Sequence, residues 1–325
     1  MNQHEIFNIK SPAHFEQLAL DAFAYQIKHN EVYARFCKLI KTDQNSVKSV
    51  KNIPFLPIQF FKSHEVISSK EKVETVFTSS GTTGSTTSKH YITDLKIYEK
   101  SFLESFRLHY GSIEEYSVLA LLPSYLERNG SSLIYMVDRL ITESKNENSG
   151  FYLNDLSALS EKLKKLDAAG KKVLLIGVSF ALLDLVENFE FKLNHTVVME
   201  TGGMKGRRKE LVREELHEIL KSGFGVDHIH SEYGMTELLS QAYSTGDGIF
   251  TTPPWMRIII RDTEDALQIL PKNKTGGINV IDLANINSCP FIATQDLGKE
   301  LDGNYFEVLG RFDTADIRGC NLMVL

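Results

Sequence analysis

Apolar and polar positions change period several times along the chain. Ser11-Pro12 has the form of a helix N-cap followed by proline at the first helical position. Phe15, Leu18, Leu20, Ala22 and Phe23 then give an apolar face to a helical stretch running to about Ile40. Residues 52–61 (NIPFLPIQFF) hold two prolines among bulky apolar side chains, an irregular segment expected to pack on a core. Residues 73–78 read as a strand that ends in a Ser/Thr/Gly run. Asp94 then caps a helix that reaches Tyr110 and stops at Gly111.

From residue 117 strands and helices alternate. Strands are expected over 117–122, 172–176, 196–199 and 227–230, and helices near 131–141, 155–169, 180–186 and 207–220. Such alternation predicts an α/β fold with helices layered on a largely parallel sheet. After about Gly246 the pattern becomes strands separated by turns, at 256–261, 277–283 and 305–309. The expected organisation is a helical N-terminal segment over 1–70 packed on the body, an α/β body over 71–245, and a smaller β-rich subdomain with a C-terminal tail over 246–325. No internal repeat interrupts it.

Composition narrows the class. Of 325 residues, 42% are hydrophobic and 24% charged, as in ordinary soluble globular chains, so disorder and coiled coil are excluded. The net charge of -6, with no basic block, gives nucleic acid no electrostatic footprint. The longest apolar stretch, 173–186, is broken by Gly177, Ser179 and Asp184. A membrane span needs ~20 mostly apolar residues, so a buried strand running into a helix is expected there. The three cysteines, Cys37, Cys289 and Cys320, are widely spaced and form no C-x-x-C, which argues against a disulfide framework and a zinc site. Residues 1–10 lack an apolar core of the signal-peptide kind, and the cytosol is the expected compartment.

Two loops concentrate chemistry. Thr78, Ser79, Ser80, Gly81, Thr82, Thr83 and Gly84 lead through four more hydroxyl residues to Lys89. Glycines let backbone N–H groups turn toward an anion, hydroxyls add donors, and Lys89 adds charge, which is the chemistry of a phosphate cradle. No Walker motif is present, and a plain Ser/Thr/Gly linker is the competing reading. The second loop, Ser231-Glu232-Tyr233-Gly234-Met235-Thr236-Glu237, follows a predicted strand, and ligands of open α/β sheets bind at strand carboxyl ends. There Tyr233 is suited to stack on a base, Thr236 to donate to a phosphate and Glu237 to hold Mg²⁺.

Other patterns lead elsewhere. Gly177-Val178-Ser179-Phe180-Ala181, between a strand and a helix, approaches the G-x-S-x-G elbow of serine hydrolases, with Asp184 or Asp227 and His228 or His230 to complete the order Ser, Asp, His. Ala181 in place of the last glycine crowds that elbow, and a turn lining a pocket is the alternative. His228 and His230, alternating on one strand face, lack a third metal ligand at a convincing spacing. A nucleotide-binding subunit without catalysis is the third reading.

The loop 78–89 resembles the T-S-G-T-T-G-x-P-K loop of the adenylate-forming superfamily, and Tyr233-Gly234-Met235-Thr236-Glu237 is similar to its Y-G-x-T-E motif. Glu200-Thr201-Gly202-Gly203-Met204 resembles the segment lining the adenine, 293–298 the T-G-D-L/x-G motif whose aspartate, here Asp296, binds the ribose, and Gly310-Arg311-Phe312-Asp313 the G-R-x-D hinge, whose arginine reaches the nucleotide. Segments 121–128 and 318–320 look like the acyl-protein synthetase (LuxE-type) family. The resemblance implies an adenylate-forming α/β fold, use of ATP and Mg²⁺, activation of a carboxylic acid of the fatty class, and transfer of the acyl group to a thiol. The acceptor would be a cysteine of this chain, CoA, or a reductase- or carrier-like partner protein.

The chain departs from the superfamily pattern in two places. The phosphate loop lacks its proline and places Lys89 two residues late. The sequence stops soon after the hinge motif, so the lysine-bearing C-terminal domain is expected to be absent; Lys205, Arg207 and Arg208 read first as a solvated helix N-terminus and second as substitutes for that lysine. Cys320 sits in a context similar to that of the acceptor cysteine of acyl-protein synthetases, with Arg318 beside it to favour the thiolate and Gly319 adding freedom; it reads either as the acyl acceptor or as a small buried hydrophobe. Cys37 and Cys289 read as structural.

Overall fold

A single asparagine divides the long N-terminal helix. Ser11 caps α1 (Pro12–His29), its hydroxyl accepting from the His14 N–H at 3.2 Å. At fully buried Asn30, Oδ1 accepts from the Tyr33 N–H at 3.0 Å and so caps α2 (Glu31–Leu39), while Nδ2 donates to Gln26 Oε1 and to the Ser288 carbonyl, both at 2.8 Å. A short polar side chain that bonds local backbone competes with helix continuation, so the stretch expected to run unbroken to Ile40 turns at residue 30. The computed structural model describes residues 5–79, 87–123, 130–202 and 211–311.

The proline-containing segment forms β1 (Leu56–Pro57) and the single-turn α3 (Phe60–Ser63), anchored by the Tyr33 hydroxyl donating to the Pro54 carbonyl at 2.7 Å. β2 (Thr75–Thr78) and β3 (Lys89–Ile92) then pair antiparallel as a small separate sheet, Thr78 opposite Lys89. The hydroxyl-rich loop therefore joins two strands rather than leading straight into a helix. β3 (KHYI) is too short for its alternation to stand out in the sequence. α4 (Leu95–Tyr110) starts at the Asp94 cap and ends at Gly111, whose φ of 85° favours glycine.

Next come β4 (Ser117–Leu121), α5 (Ser132–Glu143), β5 (Gly150–Phe151), α6 (Leu156–Ala168), β6 (Val173–Gly177), α7 (Ser179–Asn188), β7 (Thr196–Glu200), α8 (Arg213–Phe224) and β8 (His230–Tyr233). β5, β4, β6, β7 and β8 lie parallel in that order. Every residue of β4 (SVLAL) and β6 (VLLIG) is buried, as in a parallel sheet covered by helices on both faces. The last of these strands sits three residues later than its expected 227–230. His228 precedes it, so His228 and His230 do not share a strand face, and Tyr233 belongs to the strand itself.

The chain then reverses direction. β9 (Ala242–Ser244), β10 (Ile249–Thr251), β11 (Met256–Arg261), β12 (Thr275–Asp282), β13 (Phe291–Glu300) and β14 (Tyr305–Arg311) continue the same sheet in antiparallel pairs. The order across this 12-stranded sheet is β11-β12-β13-β14-β10-β9-β8-β7-β6-β4-β5, with β1 parallel to β13. β14 is thus inserted between β13 and β10, which sets Arg311 directly opposite Asp296. The α/β class is as expected. Among the described residues no helix is long and apolar enough to cross a membrane.

Candidate functional site

The parallel strands β4, β6, β7 and β8 share a direction, so Pro123, Val178, Thr201 and Gly234, one or two residues beyond them, line one edge of the sheet. That edge is where open α/β sheets bind ligands. Strand alternation sends Glu232 and Tyr233 to opposite faces of β8.

On the Tyr233 side, the phenol hydroxyl donates to Asp296 Oδ2 at 2.8 Å, and Arg311 Nε lies 3.4 Å from Asp296 Oδ1. Burial raises the Asp296 carboxyl, opposed by Tyr233, Arg311 and Arg261. The Tyr233 ring meets Phe250 and Phe306 edge-on, with centroids 6.1 and 5.9 Å away. Three residues singled out in the sequence, Tyr233, Asp296 and Arg311, thus form one cluster of hydroxyl, carboxylate and guanidinium, suited to a diol and a phosphate.

Beyond β8, Thr236 and Glu237 are tied to the hairpin of β2 and β3. His90 Nδ1 lies 2.8 Å from the Thr236 carbonyl oxygen and Nε2 2.9 Å from Asn285 Oδ1. The Asn285 amide nitrogen donates to the carbonyls of Glu237 at 2.8 Å and Cys289 at 3.0 Å, which fixes Oδ1 toward the histidine. Both ring nitrogens therefore face acceptors, yet burial pushes the imidazole down to about 4, so at neutral pH it carries one proton for two oxygens. The Glu237 side chain is buried; burial raises its carboxyl, opposed by a hydrogen bond from Ser88 and the charges of Arg311 and Lys62. Ser79 closes the base of the hydroxyl-rich loop, its Oγ accepting from the Ser88 N–H at 2.9 Å, and Lys89 stands exposed at the start of β3.

The segment after β7 is held by Glu200. Its Oε2 accepts from the Gly202 N–H at 2.7 Å and from the Ser179 hydroxyl at 3.4 Å, while Oε1 lies 3.9 Å from Arg213 Nε and 3.8 Å from His217 Nε2. Burial acts to raise this carboxyl, but His217, Arg213 and the Gly202 N–H together hold it below its ordinary value. Gly202 has φ 74°, the left-handed conformation glycine adopts without strain. Ser179 is buried against a carboxylate rather than a histidine. His230 Nδ1 lies 3.2 Å from the Tyr110 hydroxyl, and His228 packs on Gly246. No Ser–His–Asp triad forms among the described residues, and the hydrolase reading lacks its geometry.

On the opposite face of β8 lies a cavity of about 190 Å³, with Leu122, Leu133, Met136 and Met235 on its apolar wall and Glu232, Gln241 and Thr201, with the hydroxyl residues Thr78, Ser131, Ser132 and Thr236, on its polar wall. A Cβ on Gly234 would come within 2.4 Å of Glu232 Oε1 and 3.3 Å of Gln241 Cγ, so the glycine makes room for both side chains. The sequence reading passed over His90, Asn285, Glu232 and Gln241. For Glu232 the signal was present, a carboxylate in a strand otherwise bound for burial.

Ser80, Gly81, Thr82, Thr83, Gly84, Gly203, Lys205, Arg207, Arg208 and Cys320 lie outside the described residues. Cys37 and Cys289 are both buried, and burial pushes the Cys37 thiol up to about 11 and Cys289 well above its ordinary range. Neither is a ready thiolate. Among the described residues no group of three or more His, Cys, Asp or Glu side chains is placed to hold a metal. Glu237, a single carboxylate beside the loop, fits a cation such as Mg²⁺ that takes one or two protein carboxylates and most of its other ligands from substrate phosphates and water.

Known proteins resemble this chain in sequence or in fold. The family described as acyl-protein synthetase, LuxE, matches residues 7–93 and 140–325. A long-chain-fatty-acid–luciferin-component ligase from Photorhabdus luminescens is 39% identical over 70 residues, 21% of this chain and 60% of that protein. Among solved structures, ATP-bound MatB from Rhodopseudomonas palustris superimposes with a TM-score of 0.55 at 18% identity, covering 76% of this chain and 49% of MatB. An open 2-hydroxyisobutyryl-CoA ligase, in complex with 2-HIB-AMP and CoA, gives 0.66 at 11% identity, covering 94% and 77%. The chain thus spans less than two thirds of the P. luminescens ligase and about half of MatB. At these identities the structural likeness shows the fold alone.

Proposed function

The chain belongs to the acyl-protein synthetase (LuxE) family, and from that premise we propose that it activates a carboxylic acid of fatty character with ATP and passes the acyl group to a thiol. The observation that carries this reading is the cluster of Tyr233, Asp296 and Arg311 at the edge of the sheet, with Thr236 and Glu237 beside it and, on the other face of the same strand, a cavity with an apolar wall of Leu122, Leu133, Ile134, Met136 and Met235. One face suits a nucleotide and the other an acyl chain.

In the first step an oxygen of the acid attacks the α-phosphorus of ATP. The bond to the bridging oxygen breaks, and pyrophosphate leaves an acyl-adenylate. Asp296, oriented by the Tyr233 hydroxyl, accepts from the ribose diol, and Arg311 and Thr236 meet phosphate oxygens. Such a step is catalysed mainly by positioning and by neutralising charge. Mg²⁺ on Glu237 would supply further neutralisation of the phosphates. In the second step a thiolate attacks the acyl carbonyl carbon and AMP departs, leaving a thioester. Cys320, CoA or a partner's thiol is the acceptor in this reading, and the cytosol its setting.

Pyrophosphate exchange into ATP, screened over carboxylic acids, tests the first step. Incubation with ATP, Mg²⁺ and an active acid should then give a hydroxylamine-labile acyl adduct on the peptide bearing Cys320. Exchange with no acid removes the activation step, and an adduct that persists in Cys320→Ser assigns the acceptor elsewhere.

A further inference from the structure

The cavity behind β8 is not simply greasy. Gln241 is 3% exposed, and among the described residues its Oε1 has no hydrogen-bond partner; Thr201 Oγ1 is likewise buried without one among them. Nothing among the described residues hydrogen-bonds or ion-pairs with the Glu232 carboxyl, whose charged neighbour is Glu200, of the same sign. All three residues line the same space, and Glu232 and Gln241 converge on Gly234 from two sides. Buried polar atoms are ordinarily paired, and those left unpaired in a cavity mark where a ligand's polar atoms belong.

We propose that the acyl pocket selects a carboxylic acid whose chain carries a hydroxyl group, seated among Glu232, Gln241 and Thr201. This rests on the adenylate-forming reading above and refines its substrate. A hydroxyl both donates and accepts, and the pocket offers the complement: Gln241 Oε1 to receive its proton, and a carboxyl to give one. Burial, and then the charge of Glu200, push the Glu232 carboxyl up to about 8, so at neutral pH it keeps the proton it would donate. An unsubstituted chain would leave all three groups unpartnered. An ammonium would call for the ionised carboxylate, the form this setting disfavours.

The test is pyrophosphate exchange by the full chain with matched acids: hexanoate and dodecanoate, each unsubstituted, hydroxylated at successive positions, and aminated at the same positions. At least one hydroxy acid should exceed its unsubstituted parent ten-fold or more in kcat/KM, since a site built to bond a hydroxyl discriminates strongly against its absence. In Gln241→Leu that ratio should fall toward one. Should this variant fail to fold by circular dichroism, the wild-type series decides by itself. Equal rates for hydroxylated and unsubstituted acids would overturn the proposal while leaving the activation reaction intact. Preference for the amino acids would overturn it in favour of a cation site. Exchange with none of the acids would overturn the proposal together with the reaction beneath it.

Discussion

The hydroxyl of Tyr233 donates to Oδ2 of Asp296 at 2.8 Å, tying the end of one strand to the middle of another that lies 63 positions later in the chain. This bond aims the carboxylate that would meet the ribose. Tyr233→Phe keeps the ring against Phe250 and Phe306 but removes the donor, a loss of about 1 kcal/mol. ATP should bind several-fold more weakly by calorimetric titration while the melting temperature moves little. Tyr233→Ala, which also removes the ring, should weaken binding further.

His90 gives the protein an acid-side weakness. Its folded-state value of about 4 lies below the ordinary 6.5, so between those limits the unfolded chain takes up a proton that the folded protein refuses. Stability from this residue is therefore complete above pH 6.5 and lost as pH falls toward 4, by on the order of 2–3 kcal/mol. Urea unfolding at pH 7 and 4.5 should show wild type losing more stability on acidification than His90→Gln.

These two residues also show how far the sequence could be read. The helix from Leu95 to Tyr110 was legible because Asp94 and Gly111 mark its ends with local chemistry. The motif residues Tyr233, Asp296 and Arg311 were legible as types, and the fold gathers them. Their register was not legible. The strand ending at Tyr233 was expected three residues earlier, which hid the fact that Glu232 faces a different cavity from its neighbour. His90 was missed because the strand carrying it has four residues, and because its partners, Thr236 and Asn285, lie 146 and 195 positions away. Asn30 looked like one more polar position in a helix, and only the Ser288 carbonyl supplies a tertiary reason for it to stop there.

Gly234→Ala should separate folding from activity. The added methyl collides with the end of the Glu232 side chain, which can swing aside, rather than with backbone. Overpacking of this kind costs roughly 1–3 kcal/mol, so the variant should fold with a lowered melting temperature. Displacing Glu232 into the acyl cavity should depress kcat/KM for the acid far more than the KM for ATP. Melting curves and exchange kinetics on one preparation check both.

Ser179→Ala decides against the hydrolase geometry. The hydroxyl makes only a long 3.4 Å bond to Glu200. Acid-dependent pyrophosphate exchange should therefore survive the change, with a stability loss near 1 kcal/mol or less. Ester hydrolysis by wild type that disappears in this variant would contradict the expectation.

β14 lies between β13 and β10, although it follows both in the chain. During synthesis on a ribosome, the parallel strands can pair as they emerge, and so can the meander of β11, β12 and β13. The seam joining them stays open until residues 305–311 leave the exit tunnel. Until then β10 and the 296–300 half of β13, beyond the part that β1 pairs, each expose an unpaired edge, and edges of that kind recruit foreign strands. A stop codon just before this segment would leave two half-sheets with no strand to unite them.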